Sequence, residues 1–447
     1  MNKSIFSLLC VCLISLNINA QDLPRKGTFG AQMTLAEDSS GILLQEVFPN
    51  TTASALDMKA GDVLLEVNGE STKEVHALVH AIGNWRMNDP IRATLVRDGK
   101  KLKVKGKVVG KPLETSIYGN VEYGGVPYDG GMLASMMERP KGIENPPVIF
   151  FVPGIGCGTL DNYFNPKASV KQLVEGFVKN GYAVYRVDKP NEGDGEGCQE
   201  CQDMNYEYEV KAFETALKHL KTLPGIDANN IILFGHSLGG ITAPLIASKE
   251  KVQGVICWGT IANSWYEYEL KRLRDQRAML GYDYERIERE YRERQPFLYD
   301  FYVGKMGPEA LKEKEEYVEL VETFFNGEIF YGMHHYSFFH QLNDVNLAQA
   351  WKEADCPALS LHGGFDIAAV DSTWAVATAR MVNAFRPGQG EYDVIANTTH
   401  HYTFVPSYED YMRMREDGTM NRDYEQEHYN PAIVKRSTVW IKKILGS

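Results

Sequence analysis

A chain of 447 residues is longer than one ordinary domain and allows two or three. With 44% apolar and 24% charged residues it is globular and can bury a sizeable core. A formal charge of -12, its acidic residues spread along the chain, argues against nucleic acid and anionic membrane surfaces and favours a small-molecule or peptide partner.

The first segment, MNKSIFSLLCVCLISLNINA, has one early lysine, an apolar run around Ile5 to Leu16 and a small residue, Ala20, before Gln21. This is the layout of a cleaved secretory signal. A membrane span needs about 20 apolar residues, and Asn17 and Asn19 interrupt the run. Cys10 and Cys12 raise a lipoprotein reading, but Leu9 and Val11 stand where a small residue is expected before a lipidated cysteine. The mature protein is expected to be soluble and exported, to the periplasm or beyond, with five cysteines: Cys157, Cys198, Cys201, Cys257 and Cys356. That number is odd and sparse for a disulfide framework, so one or two bridges at most are expected.

Residues 27–110 read as a small β-rich module. GILLQEVF and DVLLEVNG are short strands, TTASALDMKAG between them is a brief helix, STKEVHALVHAIGNW has helical spacing, and IRATLVRDGKKLKVKGKVV is a hairpin turned at Asp98-Gly99. The order of these pieces, with Gly27-Thr28-Phe29-Gly30 and AGDVLLEVNG, resembles a bacterial PDZ domain. The resemblance implies that Thr28, Phe29 and Gly30 offer backbone N–H groups to a peptide C-terminus, the peptide adding a strand to an open sheet edge. The alternative is a groove filled by the protein's own linker.

From about residue 115 the texture changes. PPVIFFVPG, YAVYRVD, NNIILFGHS and VQGVICWGT read as buried strands, alternating with helices over SVKQLVEGFVKNG, YEYEVKAFETALKHLKTLP and LGGITAPLIAS. Such alternation predicts an α/β fold, a mostly parallel sheet with helices on both faces. Residues 262–355 break the rhythm with charged, aromatic-rich helical patterns and no strand between them, the mark of a helical insertion that caps a substrate site. CPALSLHGGFD and GEYDVIANTTHH then give two more strands, and NPAIVKRSTVWIKKIL a closing helix.

Gly235-His236-Ser237-Leu238-Gly239 fits G-x-S-x-G between a predicted strand and a predicted helix, the context that gives the pattern meaning. The turn exposes the Ser237 hydroxyl at the carboxyl end of the sheet, where ligands of open α/β sheets bind. A serine nucleophile needs a base, and the base a carboxylate to orient it. The next strand ends deliver Asp366 and then His400 and His401, in the order Ser, Asp, His. Asp371, inside a helix pattern, and Asp393, inside a strand, are weaker candidates.

With these pieces together, VPGIGCG, VDKPNEGDGEG, GHSLGG, LHGGFD and TTHHYT, residues 115–447 resemble the α/β-hydrolase superfamily. The resemblance implies Ser237 as nucleophile, Asp366 as acid and, from the following Tyr402-Thr403, His400 rather than His401 as base. It places the oxyanion donors at the N–H groups of Leu238 and of Ile155, the latter in a Pro153-Gly154-Ile155-Gly156 loop where Pro153 replaces the usual histidine. It also brings the loop after GDGEG near the oxyanion loop, so that Cys157 can bond Cys201 or Cys198; free thiols and a metal site are the other readings of Cys198 and Cys201. His334, His335 and His340 in MHHYSFFH are expected in an aromatic contact surface between cap and core, with pocket lining and metal binding as alternatives. The charge-rich run EREYRER reads as a solvated helix face.

The expected activity is hydrolysis of a carboxylic ester through an acyl-enzyme, without metal or organic cofactor, on a small-molecule ester or acyl substrate. A peptidase on the same fold is the alternative within the enzymes, and a catalytically inactive, PDZ-based peptide-binding protein the one outside them. The acyl group, the alcohol and the oligomeric state are left open.

Overall fold

The computed structural model describes residues 23–73, 78 and 82–446. The segment 1–20, expected to be a secretory signal, lies outside the described residues, as does much of the helix expected over 71–85. Among the described residues no helix is long and apolar enough to cross a membrane.

The N-terminal unit is a six-stranded antiparallel sheet: β1 (Ala31–Leu35), β2 (Ile42–Val47), β3 (Val63–Val67), β4 (Glu70–Ser71), β5 (Pro90–Arg97) and β6 (Lys100–Lys107), in the order β1-β2-β3-β5-β6 with β4 beside β3. The β5–β6 hairpin turns at Asp98 and Gly99, whose φ values of 50° and 73° match the right-handed twist of the strands. Phe29, Ile42, Leu44, Leu64, Ile91 and Leu95 form its core. Among the described residues β1 pairs only with β2, so its outer edge carries no strand.

The second unit is built on an eight-stranded sheet. It comprises β7 (Gly119–Tyr128), β8 (Gly131–Pro140), β9 (Pro147–Val152), β10 (Ala183–Val187), β11 (Asp227–His236), β12 (Gly254–Trp258), β16 (Ala358–Gly363) and β17 (Gly390–Ile395). Their order is β17-β16-β12-β11-β9-β10-β8-β7, parallel from β17 to β10. The central strands are buried on both faces: Val148, Phe150 and Val152 of β9 join one core, Ile149 and Phe151 the other. Hence their unbroken apolar runs.

The antiparallel pair β7–β8 at the sheet edge was not part of the sequence reading. Its strands contain glycines and two prolines, Pro127 and Pro140, which weaken the strand pattern, and the turn is carried by Asp129 and Gly130 at φ 48° and 81°.

The insertion after β12 is largely helical, its longest helix spanning Tyr284–Tyr302. It differs from expectation in two ways. It contains a three-stranded miniature sheet of β13 (Phe325–Asn326), β14 (Ile329–Phe330) and β15 (His334–His335). Its last helix, Leu347–Ala354, packs on Gly239–Ala247 and so belongs to the layer covering the sheet. The charged face around EREYRER is laced by Arg286–Glu290 and Arg292–Glu288 pairs at 2.7 and 2.8 Å, one helical turn apart.

The two units meet at Arg25. Its guanidinium reaches Asp161 at 2.8 Å and Asp194 at 2.5 Å, with all three side chains under 10% exposed, and Arg86 pairs with Glu196 nearby. The β-rich unit thereby sits on the loop that follows β10.

Candidate active site

Ser237 follows β11 directly and holds φ at 55°, a left-handed conformation that a non-glycine residue adopts at a cost. Its N–H donates to Trp258 O at 2.8 Å. The flanking glycines are sterically required: a Cβ on Gly235 would lie 2.2 Å from Gly239 O, and one on Gly239 would lie 2.1 Å from Val152 O. The tight turn leads into the helix Gly239–Ala247, whose N-terminal field favours negative charge beside the serine.

Asp366 and His400 follow the ends of β16 and β17, and His400 Nδ1 meets Asp366 Oδ2 at 2.8 Å. Asp366 is 3% exposed, and its other oxygen accepts the N–H groups of Ala368 and Ala369 at 2.9 and 2.8 Å. Burial acts to raise its pKa, but the charge and hydrogen bond of His400 outweigh this and hold it down at about 2. His401 is exposed and, among the described residues, pairs with no carboxylate. Of the weaker acids, Asp371 is spent on Lys271 at 2.6 Å and Asp393 on Arg436 at 3.0 Å. The pair also depends on Gly259: a Cβ there would lie 2.6 Å from Asp366 Oδ2 and 2.8 Å from His400 Nδ1.

Gly154, after β9, passes so close to the nucleophile that a Cβ on it would lie 3.2 Å from Ser237 Cβ. Ile155 and Leu238 therefore flank the serine, and among the described residues neither N–H donates to another group.

The Ile155 loop is gripped from three directions. Lys189 Nζ donates to Ile155 O at 3.0 Å, His334 Nε2 lies 2.7 Å from the same oxygen, and Cys157 is bonded to Cys201. His334 Nδ1 lies 2.8 Å from Cys201 O, so this buried imidazole bridges the two loops that the disulfide joins. Cys198 is a free thiol, as are the buried Cys257 and Cys356. Sulfur and imidazole nitrogen of Cys157, Cys201 and His334 lie within 4.8 Å of one another, but the bonded sulfurs lack the thiolate charge a metal would need. His335 caps the helix Tyr336–Asn343 through Ser337, and His340 packs on Phe301. The supporting roles of Lys189 and His334 had no signal in the sequence beyond a lysine just after a strand and a histidine among aromatics.

A chamber of about 640 Å³ opens over these groups, with Ser237, His400, Gly154 and Ile155 at its floor. Trp265, Tyr268, Tyr331 and Phe339 of the insertion wall it. Glu269 and Arg272 line it as an ion pair, Arg272 Nη1 3.0 Å from both carboxylate oxygens, in a stretch where the backbone becomes a π-helix, Arg272–Gln276. Such bulges are frequent at functional sites.

In the β-rich unit, the N–H of Thr28 donates to Val109 O at 2.9 Å, and Gly27 pairs with Gly110. The chain leaving the domain thus occupies one of the three N–H groups expected to face a peptide carboxylate. Thr28 is corrected to a structural role; Phe29 is buried, and Gly30 holds φ at 73° before β1.

Known proteins place these units. A model of the PDZ domain matches residues 27–108, and a model of the alpha/beta hydrolase family matches residues 149–419. The chain is 28% identical over 118 residues to esterase EstD of Thermotoga maritima, covering 26% of this chain and 27% of that protein. It is 30% identical over 80 residues to serine endoprotease DegS of Haemophilus influenzae, covering 18% of this chain and 24% of that one. The chain thus spans about a quarter of the length of either relative. Among solved structures it is similar to Est1E from Butyrivibrio proteoclasticus, at 13% identity, 73% of this chain, 99% of that one and a TM-score of 0.44. An esterase domain from a Rhodothermus marinus protein is similar at 15% identity, 69% and 99% coverage and a TM-score of 0.39.

Proposed function

The chain belongs to the alpha/beta hydrolase family and carries a PDZ domain ahead of the hydrolase unit, and on that premise we propose that it is an exported serine hydrolase of carboxylic esters. The observation that carries this reading is the Asp366–His400 pair at 2.8 Å, which shares one chamber with a serine held in a strained strand-to-helix turn.

In the proposed reaction His400 Nε2 takes the Ser237 proton while Oγ bonds to the ester carbonyl carbon. The N–H groups of Leu238 and Ile155 stabilise the oxyanion. Collapse breaks the carbon–oxygen bond to the alcohol, and His400 returns its proton to the leaving oxygen. Water then attacks the acyl-enzyme with His400 again as base, releasing the acid and restoring the Ser237 hydroxyl. Ionised Asp366 fixes the imidazole tautomer and supports its charge.

The PDZ match and the unpaired outer edge of β1 support capture of an extended peptide beside the hydrolase. Export is supported by the N-terminal segment and by PDZ similarity to periplasmic serine endoprotease DegP of Escherichia coli, 33% identical over 64 residues.

The deciding experiment is fluorophosphonate labelling of the purified protein with mass mapping, alongside a panel of esters and of aminoacyl and dipeptidyl amides. Modification at Ser237, with ester turnover abolished in Ser237→Ala, is the expected result. Amide turnover equal to that of esters would move the assignment to a peptidase, and an unlabelled, well-folded protein would remove the nucleophile.

A further inference from the structure

Two spaces of very different size meet at Ser237. One is the open chamber of about 640 Å³; the other is a recess of about 30 Å³ lined by Leu238, Ile241, Thr260, Ile261, Ala368 and Ala369. Trp265, Tyr268 and Ala368 line both, together with Ser237. The recess is small by a physical standard: an apolar cavity that takes up benzene measures about 150 Å³. Its lining is chiefly apolar, with side chains of Leu238, Ile241, Ile261 and Ala369 each under 10% exposed.

An ester bound at Ser237 sends its acyl and alcohol branches away from the carbonyl carbon in different directions. Which branch enters which space follows from the proton. The leaving alkoxide takes its proton from His400, so the alcohol oxygen has to lie on the His400 side. His400 lines the large chamber and is not among the residues lining the recess. The acyl branch is therefore directed into the recess.

Resting on the reading of Ser237 as nucleophile, we infer that the substrate is a short-acyl ester, acetyl- or propionyl-sized, of a bulkier alcohol. The recess admits a methyl or ethyl group beyond the carbonyl and closes on Ile241, Ile261 and the Ala368-Ala369 backbone. The alcohol occupies the chamber, where aromatic walls and the Glu269–Arg272 pair offer both apolar surface and polar contacts. The backbone at Ala368 and Ala369 has a second role, since its N–H groups hold Asp366. The wall that limits the acyl group is thus tied to the acid of the proposed triad.

The test holds the alcohol constant and varies the acyl chain: 4-nitrophenyl acetate, propionate, butyrate and hexanoate with the full chain. The expected result is a fall in kcat/KM of tenfold or more from acetate to butyrate and a further fall to hexanoate. Ile261→Ala should recover butyrate turnover relative to acetate. Butyrate or hexanoate turned over as well as acetate by the unaltered protein would overturn the inference, whatever the variant does. If longer esters are preferred while a small organophosphonate still modifies Ser237, the hydrolase reading stands and only the acyl assignment falls. If no ester is cleaved and Ser237 is not modified, both fall together.

Discussion

The ammonium of Lys189 and the carbonyl oxygen of Ile155 lie 3.0 Å apart, so a cation just beyond β10 holds the backbone turn just beyond its neighbour β9. The ammonium is 1% exposed and also paired at 2.7 Å with the equally buried Glu209.

Lys189→Met removes the grip on Ile155 and leaves Glu209 without its cation. We expect a loss of about 3–5 kcal/mol in stability, the cost of stranding a buried charge. Lys189→Met combined with Glu209→Gln should recover much of that stability in urea titrations. Turnover should stay depressed in the double variant, by up to about 100-fold, because the proposed oxyanion donor remains misplaced.

The Cys157–Cys201 bond closes a 44-residue separation and ends two residues from Ile155. Its removal in Cys157→Ser with Cys201→Ser should cost about 2–4 kcal/mol, as for other disulfides. Turnover should fall more steeply than the folded fraction. Ester assays and circular dichroism on the same reduced and oxidised samples check this; parallel loss of both signals would assign the bond to global stability alone.

Asp366→Asn should lower turnover at neutral pH by about 10⁴-fold, since the imidazole loses its orienting carboxylate. The same substitution has a pH signature. With its pKa held at about 2, the folded carboxylate binds its proton less readily than the unfolded one. Its contribution to stability is present above the ordinary carboxylate pKa of about 4 and lost as pH falls towards 2. The difference in Tm between native and variant protein should accordingly shrink through that window.

Asp188 behaves in the opposite sense. Burial pushes its pKa up to about 7, despite hydrogen bonds from Leu160 N–H and Thr159 Oγ1. Between about pH 4 and 7 the folded state binds the extra proton, so stability falls as pH rises across this range. Asp188→Asn keeps the shape and should flatten that slope; thermal denaturation at several pH values reads it directly.

What the sequence made visible followed from periodicity and from strand ends. Ser237, Asp366 and His400 each follow the end of a predicted strand, and in a parallel sheet such ends lie together at its carboxyl end, so residues far apart in the chain could be grouped before any coordinates. The PDZ-like order of strands was legible from its turns, above all Asp98-Gly99. The grip of Lys189 and His334 on Ile155 was not legible, because the group they hold is a main-chain carbonyl, which leaves no complementary residue type to find, and the Glu209 that pairs with Lys189 lies in a helix twenty residues on. His334 reaches that carbonyl only because the insertion folds back over the sheet. The edge strands β7 and β8 were hidden by their glycines, and the engagement of Thr28 by a segment some eighty residues later depended on how the chain leaves the domain.

The grips on the Ile155 loop come from Lys189, Cys201 and His334, which are spread over a long stretch of chain. The backbone beside the proposed nucleophile is therefore held jointly by the loop after β10 and by the insertion, and the proposed hydrolysis depends on both being in place.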